Sequence, residues 1–232
     1  MPRPRQLHDE YFRRAKADGY LARSAYKLIE IDDKKRILRK GSWVLDLGCA
    51  PGSWLQVISE RVGGDGRVVG IDLQRVRHPM PQNVRTLEGD IRETTHLELI
   101  DFVGGRYHAV LSDMAPATSG GGGGSGDHFL SIRLAHEVVD IAERVLRPRG
   151  AVVIKVFDGE AFPELLDRAR SIFGLVTAVK PKATRDLSRE LYLVAQGYKP
   201  GKKKPKTSGA PPPEESPSKV APSEEPPGEA SA

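Results

Sequence analysis

Cysteine is almost missing from this chain. Cys49 is the single one among 232 residues, which excludes an internal disulfide framework and fits a reducing compartment. It lies inside a glycine-bearing turn, where a small packed residue is expected rather than a nucleophile. Long apolar runs are missing too, and none approaches the roughly 20 residues that a membrane-spanning helix needs. The start, MPRPRQLHDEYFRR, has no apolar stretch of the secretory kind, so a cytoplasmic protein is expected. The six histidines are scattered, and His128 and His136, eight apart with no acidic or thiol partner set, make no tetrahedral zinc site.

Charge of both signs is present but unevenly placed. The formal net charge is +5; residues 1–40 hold twelve Lys/Arg against six Asp/Glu, whereas residues 41–198 hold eighteen against twenty. A mildly acidic body with a basic N-terminal arm, residues 1–20, suits an anionic partner gripped from one end, as a nucleic-acid backbone would be. From residue 199 onward the chain is rich in Lys, Pro, Ser and Glu. That composition cannot bury a core, so 199–232 is expected to be a disordered tail whose Lys202–Lys206 cluster adds at most weak, salt-sensitive RNA affinity. Residues 21–198 remain as one domain of ordinary size.

Within that domain, strand-like and helix-like patterns alternate. Ser24 is placed to cap a helix whose Ala25, Leu28, Ile29 and Ile31 mostly share one face, with Lys27 in its first turn. SWVLDLG, APGS and WLQVISERV read as strand, turn and helix, the last ended by Gly63 and Gly64. RVVGIDL, VRTLEGD and HAVLSDMAP follow as further strands. After the glycine run Gly120–Gly124, which suggests a mobile lid, Leu130, Leu134, Val138, Ile141 and Val145 recur at helical spacing, with Gly150 expected to stop that helix. AVVIKVF is a near-continuous apolar strand, PELLDRARSIF a helix, and LVTAVKP with ELYLVAQGY a closing pair. Strands apolar on both faces, alternating with helices, predict an α/β fold with a mostly parallel sheet covered on both sides.

Ligands of such a sheet bind outside the carboxyl ends of its strands. Asp46, Gly48 and Gly52 fall at the first such end, where glycine lets a ligand approach the backbone and the next helix offers free N–H groups. The glycines read G-x-x-x-G rather than G-x-G-x-x-G, which disfavours a nicotinamide cofactor. Asp72, twenty positions after Gly52, can accept both hydroxyls of a ribose, and Trp54 can supply an apolar wall. Lys155 is the most unusual residue by context, because a lysine inside an apolar strand needs a partner or a ligand edge.

Lys27, Asp113, Lys155 and Glu190, in RSAYKLIEI, VLSDMAP, VVIKVFDGE and SRELYLVAQG, together with VLDLGCAPGSW, make the chain from about Tyr11 to Gly197 resemble the FtsJ/RrmJ family of RNA 2′-O-ribose methyltransferases. The resemblance implies a Rossmann-like methyltransferase fold that binds S-adenosylmethionine (SAM), with seven strands, the last antiparallel, and helices on both faces. It implies that Gly52, Trp54, Asp72, Asp90 and Asp113 hold the cofactor, Asp90 at the adenine end and Asp113 beside the sulfonium. Lys155 becomes the base or the group that orients the 2′-hydroxyl, and Glu190 its partner or a contact to the target ribose. Lys27 binds substrate phosphate or helps to hold Asp113, and Arg185 and Arg189 belong to an RNA-facing loop. Ser53 stands where the family often has a second glycine, and Ala117 where it often has asparagine. SDMAPATSG has no aromatic after its proline, which disfavours methylation of a base nitrogen. The implied partner is ribosomal RNA of the large subunit, at a uridine of the A-loop, with the enzyme a monomer. A tRNA ribose methyltransferase and a non-catalytic RNA-binding assembly factor are the alternatives.

Overall fold

A computed structural model of the chain describes residues 4–116, 125–184 and 188–201. The basic N-terminal segment forms α1 (Pro4–Ala17), which a short turn joins to α2 (Ala25–Lys35). Ala15 is buried between them, and the rings of Tyr11 in α1 and Tyr20 in the connecting turn stand 5.6 and 5.8 Å from that of Tyr26, so aromatic packing helps to dock the first helix. Ser24 occupies the N-cap of α2 without capping it. Its hydroxyl is engaged instead with that of Ser53 at 2.9 Å, a tertiary bond that displaces the expected local one.

The remaining elements are β1 (Trp43–Leu47), α3 (Ser53–Val62), β2 (Arg67–Asp72), β3 (Val84–Glu88), α4 (His96–Val103), β4 (Tyr107–Ser112), α5 (Ser125–Val145), β5 (Leu146–Phe157), α6 (Phe162–Ile172), β6 (Leu175–Val179) and β7 (Glu190–Gln196). One seven-stranded sheet runs β3-β2-β1-β4-β5-β7-β6. The pairs among β3, β2, β1, β4 and β5 are parallel, whereas β7 is antiparallel to both its neighbours. Two apolar clusters flank the sheet. Leu99, Val138, Val152 and Leu165 belong to the one formed with α4, α5 and α6, and Leu28, Val57, Leu111 and Val153 to the one formed with α2 and α3. Val152 and Val153, adjacent in β5, face opposite clusters, which is why the strand reads as an unbroken apolar run.

Two details depart from the sequence pattern. In α5 the buried face is Ile132, Ala135, Val138, Val139, Ala142 and Val145, while Leu130 is exposed; the Leu130–Leu134 spacing fits a helix equally well but rotates its face. The helix also ends at Val145, short of Gly150, because Leu146 already pairs with Tyr107 in the sheet. The β4–β5 register then shifts, with Ala109 opposite Ala151, and the extra chain Arg147–Gly150 bulges at the amino edge of the sheet. Among the described residues no helix is long and apolar enough to cross a membrane. Ala117, Gly120–Gly124, Arg185 and the segment after residue 201 lie outside the described residues.

Candidate active site

The carboxyl ends of β1, β2 and β4 bring Asp46, Asp72 and Asp113 to one edge of the sheet. Because β7 runs the other way, its first residue, Glu190, arrives at the same edge. The register sets Lys155 opposite Tyr192 and Phe157 opposite Glu190, so Lys155, Tyr192 and Glu190 share one face by the period of two. Lys27 reaches them from the first turn of α2.

These side chains form two ion pairs. Lys155 Nζ lies 3.1 Å from Asp113 Oδ1 and also donates to the Asp113 carbonyl, and Lys27 donates to Glu190. The expected Lys155–Glu190 pairing is therefore replaced: Asp113, just past the end of the neighbouring parallel strand, is closer to the lysine than the acid two positions along β7. The lysine side chains are only 9% and 10% exposed, so neither reaches into bulk water, and pairing offsets the cost of their desolvation. Tyr192, which the sequence analysis passed over as a strand aromatic, joins the two pairs. Its hydroxyl donates to Asp113 Oδ1 at 2.6 Å and lies 3.3 Å from Glu190 Oε1. Burial, then the two adjacent carboxylates, push that hydroxyl well above the usual phenol range, so it remains a donor.

The glycine turn lies beside this network. Gly48 and Gly52 have φ of 75° and 113°, left-handed conformations that glycine adopts without cost. A Cβ on Gly48 would meet Met114 Cγ at 2.1 Å, and one on Gly52 would meet Met80 Cε at 2.7 Å. The turn is therefore lined by apolar side chains that leave room for backbone only. Asp72 braces it, accepting the Ala50 N–H at 2.9 Å through one oxygen and the Gln74 N–H at 2.8 Å through the other; each oxygen retains a lone pair. Trp54 is enclosed, its indole N–H bonded to the Ser24 carbonyl at 3.0 Å and its ring 5.8 Å from that of Tyr192. Its backbone N–H, in the first turn of α3, has no intrahelical acceptor. Asp90 follows β3 and accepts the Arg92 N–H at 2.9 Å, while Thr95 and Glu98 cap α4 reciprocally, so Asp90 is not spent as a helix cap.

Asp46 carries the clearest signal for a cationic ligand. It is buried, and neither carboxyl oxygen has a hydrogen-bond partner among the described residues. Burial, followed by repulsion from Asp113 and Asp72, raises its carboxyl well above the usual range. Three acids around a glycine cradle, one of them with unmet acceptors, fit a ligand that brings positive charge and N–H donors. Cys49, in the same turn, is buried and its thiol is pushed far up, chiefly by burial, as a packed and inert residue requires. Arg189 is exposed beside Glu190, at the rim of the site.

Residues 20–198 match the family model described as FtsJ-like methyltransferase. The chain is similar to the ribosomal RNA large subunit methyltransferase E of Halorubrum lacusprofundi, 44% identical over 191 residues that cover 82% of this chain and 70% of the relative. It is also similar to the protein of that name from Syntrophobacter fumaroxidans, 43% identical over 188 residues that cover 81% of this chain and 94% of the relative. Among solved structures, a Plasmodium falciparum protein described as a ribosomal RNA methyltransferase aligns with a TM-score of 0.68 at 32% identity, covering 77% of this chain and 98% of the other.

Proposed function

The chain belongs to the FtsJ-like methyltransferase family, and from that premise we propose that it methylates the ribose 2′-hydroxyl of a uridine in the A-loop of 23S ribosomal RNA, using S-adenosylmethionine. The observation that carries this reading is the network of Lys27–Glu190 and Asp113–Lys155 joined through Tyr192 at the carboxyl edge of the sheet.

When bound, S-adenosylmethionine supplies an electrophilic methyl carbon on a positively charged sulfur. Asp72 would take the ribose hydroxyls with its remaining lone pairs, Asp90 the adenine end, and Asp113 the positive charge; Gly52 and the Trp54 N–H offer the backbone. The residues fit such a group because every strand-end acid has acceptor capacity left. Lys155 has a hydrogen beyond those given to Asp113, with which the ammonium orients the incoming 2′-oxygen; only the neutral amine form would take up its proton. Much of the acceleration in such a transfer comes from alignment of oxygen, carbon and sulfur. Asp113 and Glu190 fix where the two ammonium groups sit, and Lys27 meets the adjoining phosphate. The basic face of α1 and Arg189 grip the RNA. We place the enzyme in the cytoplasm as a monomer.

The test is to incubate the protein and S-adenosylmethionine separately with 23S ribosomal RNA, large subunits and tRNA, and to map ribose methyl groups. A single new 2′-O-methyl uridine in the large-subunit RNA is expected. Methylation confined to tRNA would move the substrate, methyl groups on bases would overturn the chemistry, and RNA binding without transfer would leave an assembly factor.

A further inference from the structure

At the other end of the sheet from the site, the bulge Arg147–Gly150 and the end of α2 enclose a groove of about 530 Å³ lined by Arg36, Arg39, Arg147, Arg149, His108 and Gln196 among others, with no acidic residue in the lining. The four arginines are exposed, and no ion pair is formed by any of them among the described residues. A surface arginine usually stands near a carboxylate; four around one groove without any concentrate positive potential there.

The backbone adds a second observation. Arg36 and Arg149 have φ of 54° and 66°, and they are the two non-glycine residues with positive φ among the described residues. Arg36 is the C-cap of α2, its N–H on the Asp32 carbonyl, and Arg149 gives its N–H to Tyr198. Both turns are geometries that glycine adopts freely and a Cβ makes costly. Two strained positions that face one groove both carry a guanidinium instead.

A third observation concerns His108. Its Nδ1 accepts the Trp43 N–H at 3.0 Å, so the neutral ring carries its hydrogen on Nε2. Nε2 in turn lies 2.7 Å from Arg147 Nη1, which brings two donors face to face. One acceptor oxygen shared between them would satisfy both.

We propose that this groove binds the phosphate backbone of the RNA substrate at a point remote from the methylated nucleotide. It lies roughly 20 Å from the catalytic network, the length of β4 at about 3.3 Å per residue. It would thus hold a strand segment other than the one that enters the site. The inference rests on the ribosomal RNA reading above.

Arg36→Gly with Arg149→Gly tests it without threatening the fold, since glycine relieves both backbones while removing both charges. Thermal stability should stay equal or rise, and calorimetric S-adenosylmethionine affinity should not change. Affinity for full-length 23S ribosomal RNA should fall about tenfold at physiological salt, and the slope of log affinity against log salt should shrink by about 1.5, as for two lost phosphate contacts. Arg39→Gln with Arg147→Gln, at positions of ordinary backbone, should act in the same direction. Variants that bind the RNA with wild-type affinity and slope overturn the groove while leaving the substrate reading intact. A wild-type protein that ignores 23S RNA overturns both. Variants that bind naked RNA normally but lose assembled subunits assign the groove to a ribosomal protein instead, against the proposal.

Discussion

Tyr192 donates its hydroxyl hydrogen to Asp113 across 2.6 Å, and this contact couples two ion pairs that α2, β5 and the loop after β4 deliver separately. With one hydrogen to give, the hydroxyl commits to Asp113 and only leans on Glu190 at 3.3 Å. Tyr192→Phe keeps the ring against Trp54 but releases both acids. Losing a hydrogen bond to a charged acceptor costs about 1.5–3 kcal/mol, so single-turnover methylation should slow by about tenfold or more. Cofactor affinity measured by calorimetry should change much less. An unslowed Tyr192→Phe enzyme would show that the ion pairs hold without the bridge.

Lys155→Ala should remove most methyl transfer while leaving cofactor and RNA binding nearly intact, since its amine acts on the hydroxyl in the transition state. Lys155→Arg should not restore the rate, because a guanidinium cannot accept a proton and its planar fork does not match the ammonium's place between the Asp113 carboxylate and carbonyl. Single-turnover rates across pH decide this. A near-normal arginine variant would assign the lysine to charge placement alone.

Asp72→Ala removes an acceptor that holds the Ala50 and Gln74 N–H groups as well as the one offered to a ribose. Cofactor binding should weaken by about 1.5–3 kcal/mol. Calorimetry against S-adenosylmethionine measures it, and equal affinity in the variant would move the ribose contact elsewhere.

Asp46 makes stability fall with rising pH. Its carboxyl keeps a proton in the fold that it loses in the unfolded chain near pH 4. The native state thus binds more protons over the range above the unfolded value, and stability declines from there up to the raised folded value. Denaturant unfolding without cofactor should show this decline as pH rises above the ordinary aspartate value of about 4 in the wild type and a flatter profile in Asp46→Asn. Parallel profiles would count against it.

The basic residues of α1 should govern the salt dependence of RNA binding. Arg14 lies over the Tyr26 ring at 4.7 Å and 3.5 Å from Asp18, so it is partly spent on docking the helix. Arg13→Gln with Lys16→Gln is the cleaner change than removing residues 1–20, which would expose Ala25 and Tyr26. The slope against log salt should shrink by about 1.5; an unchanged slope in a filter-binding titration would place the grip elsewhere.

The order of the strands across the sheet was not legible, but the succession of strands and helices along the chain was, because apolar runs such as AVVIKVF mark buried strands, and so was the reversed final strand, because the motif resemblance implies it. The glycine turn and its acids were legible for the same reason. Partnership was not: whether Lys155 meets Asp113 or Glu190 depends on the register across β4, β5 and β7, which spacing along one chain does not encode. Tyr192 escaped notice because a tyrosine in a strand is ordinary until its hydroxyl is seen between two carboxylates. Leu130 misled because helical spacing fixes a period, and the face it buries is chosen by the neighbours.

The Lys27–Glu190 contact spans 163 positions of sequence, from the second helix to the last strand. A contact of such separation forms late, after the loop-closure entropy of almost the whole domain has been met. During synthesis the glycine turn and its acids emerge early, yet Lys27 lacks its acid and Asp113 lacks the Tyr192 hydroxyl until β7 slots between β5 and β6. Competence to transfer a methyl group is thus tied to completion of the domain. A nascent chain that stops short of Glu190 carries the cofactor cradle and lacks the means to use it.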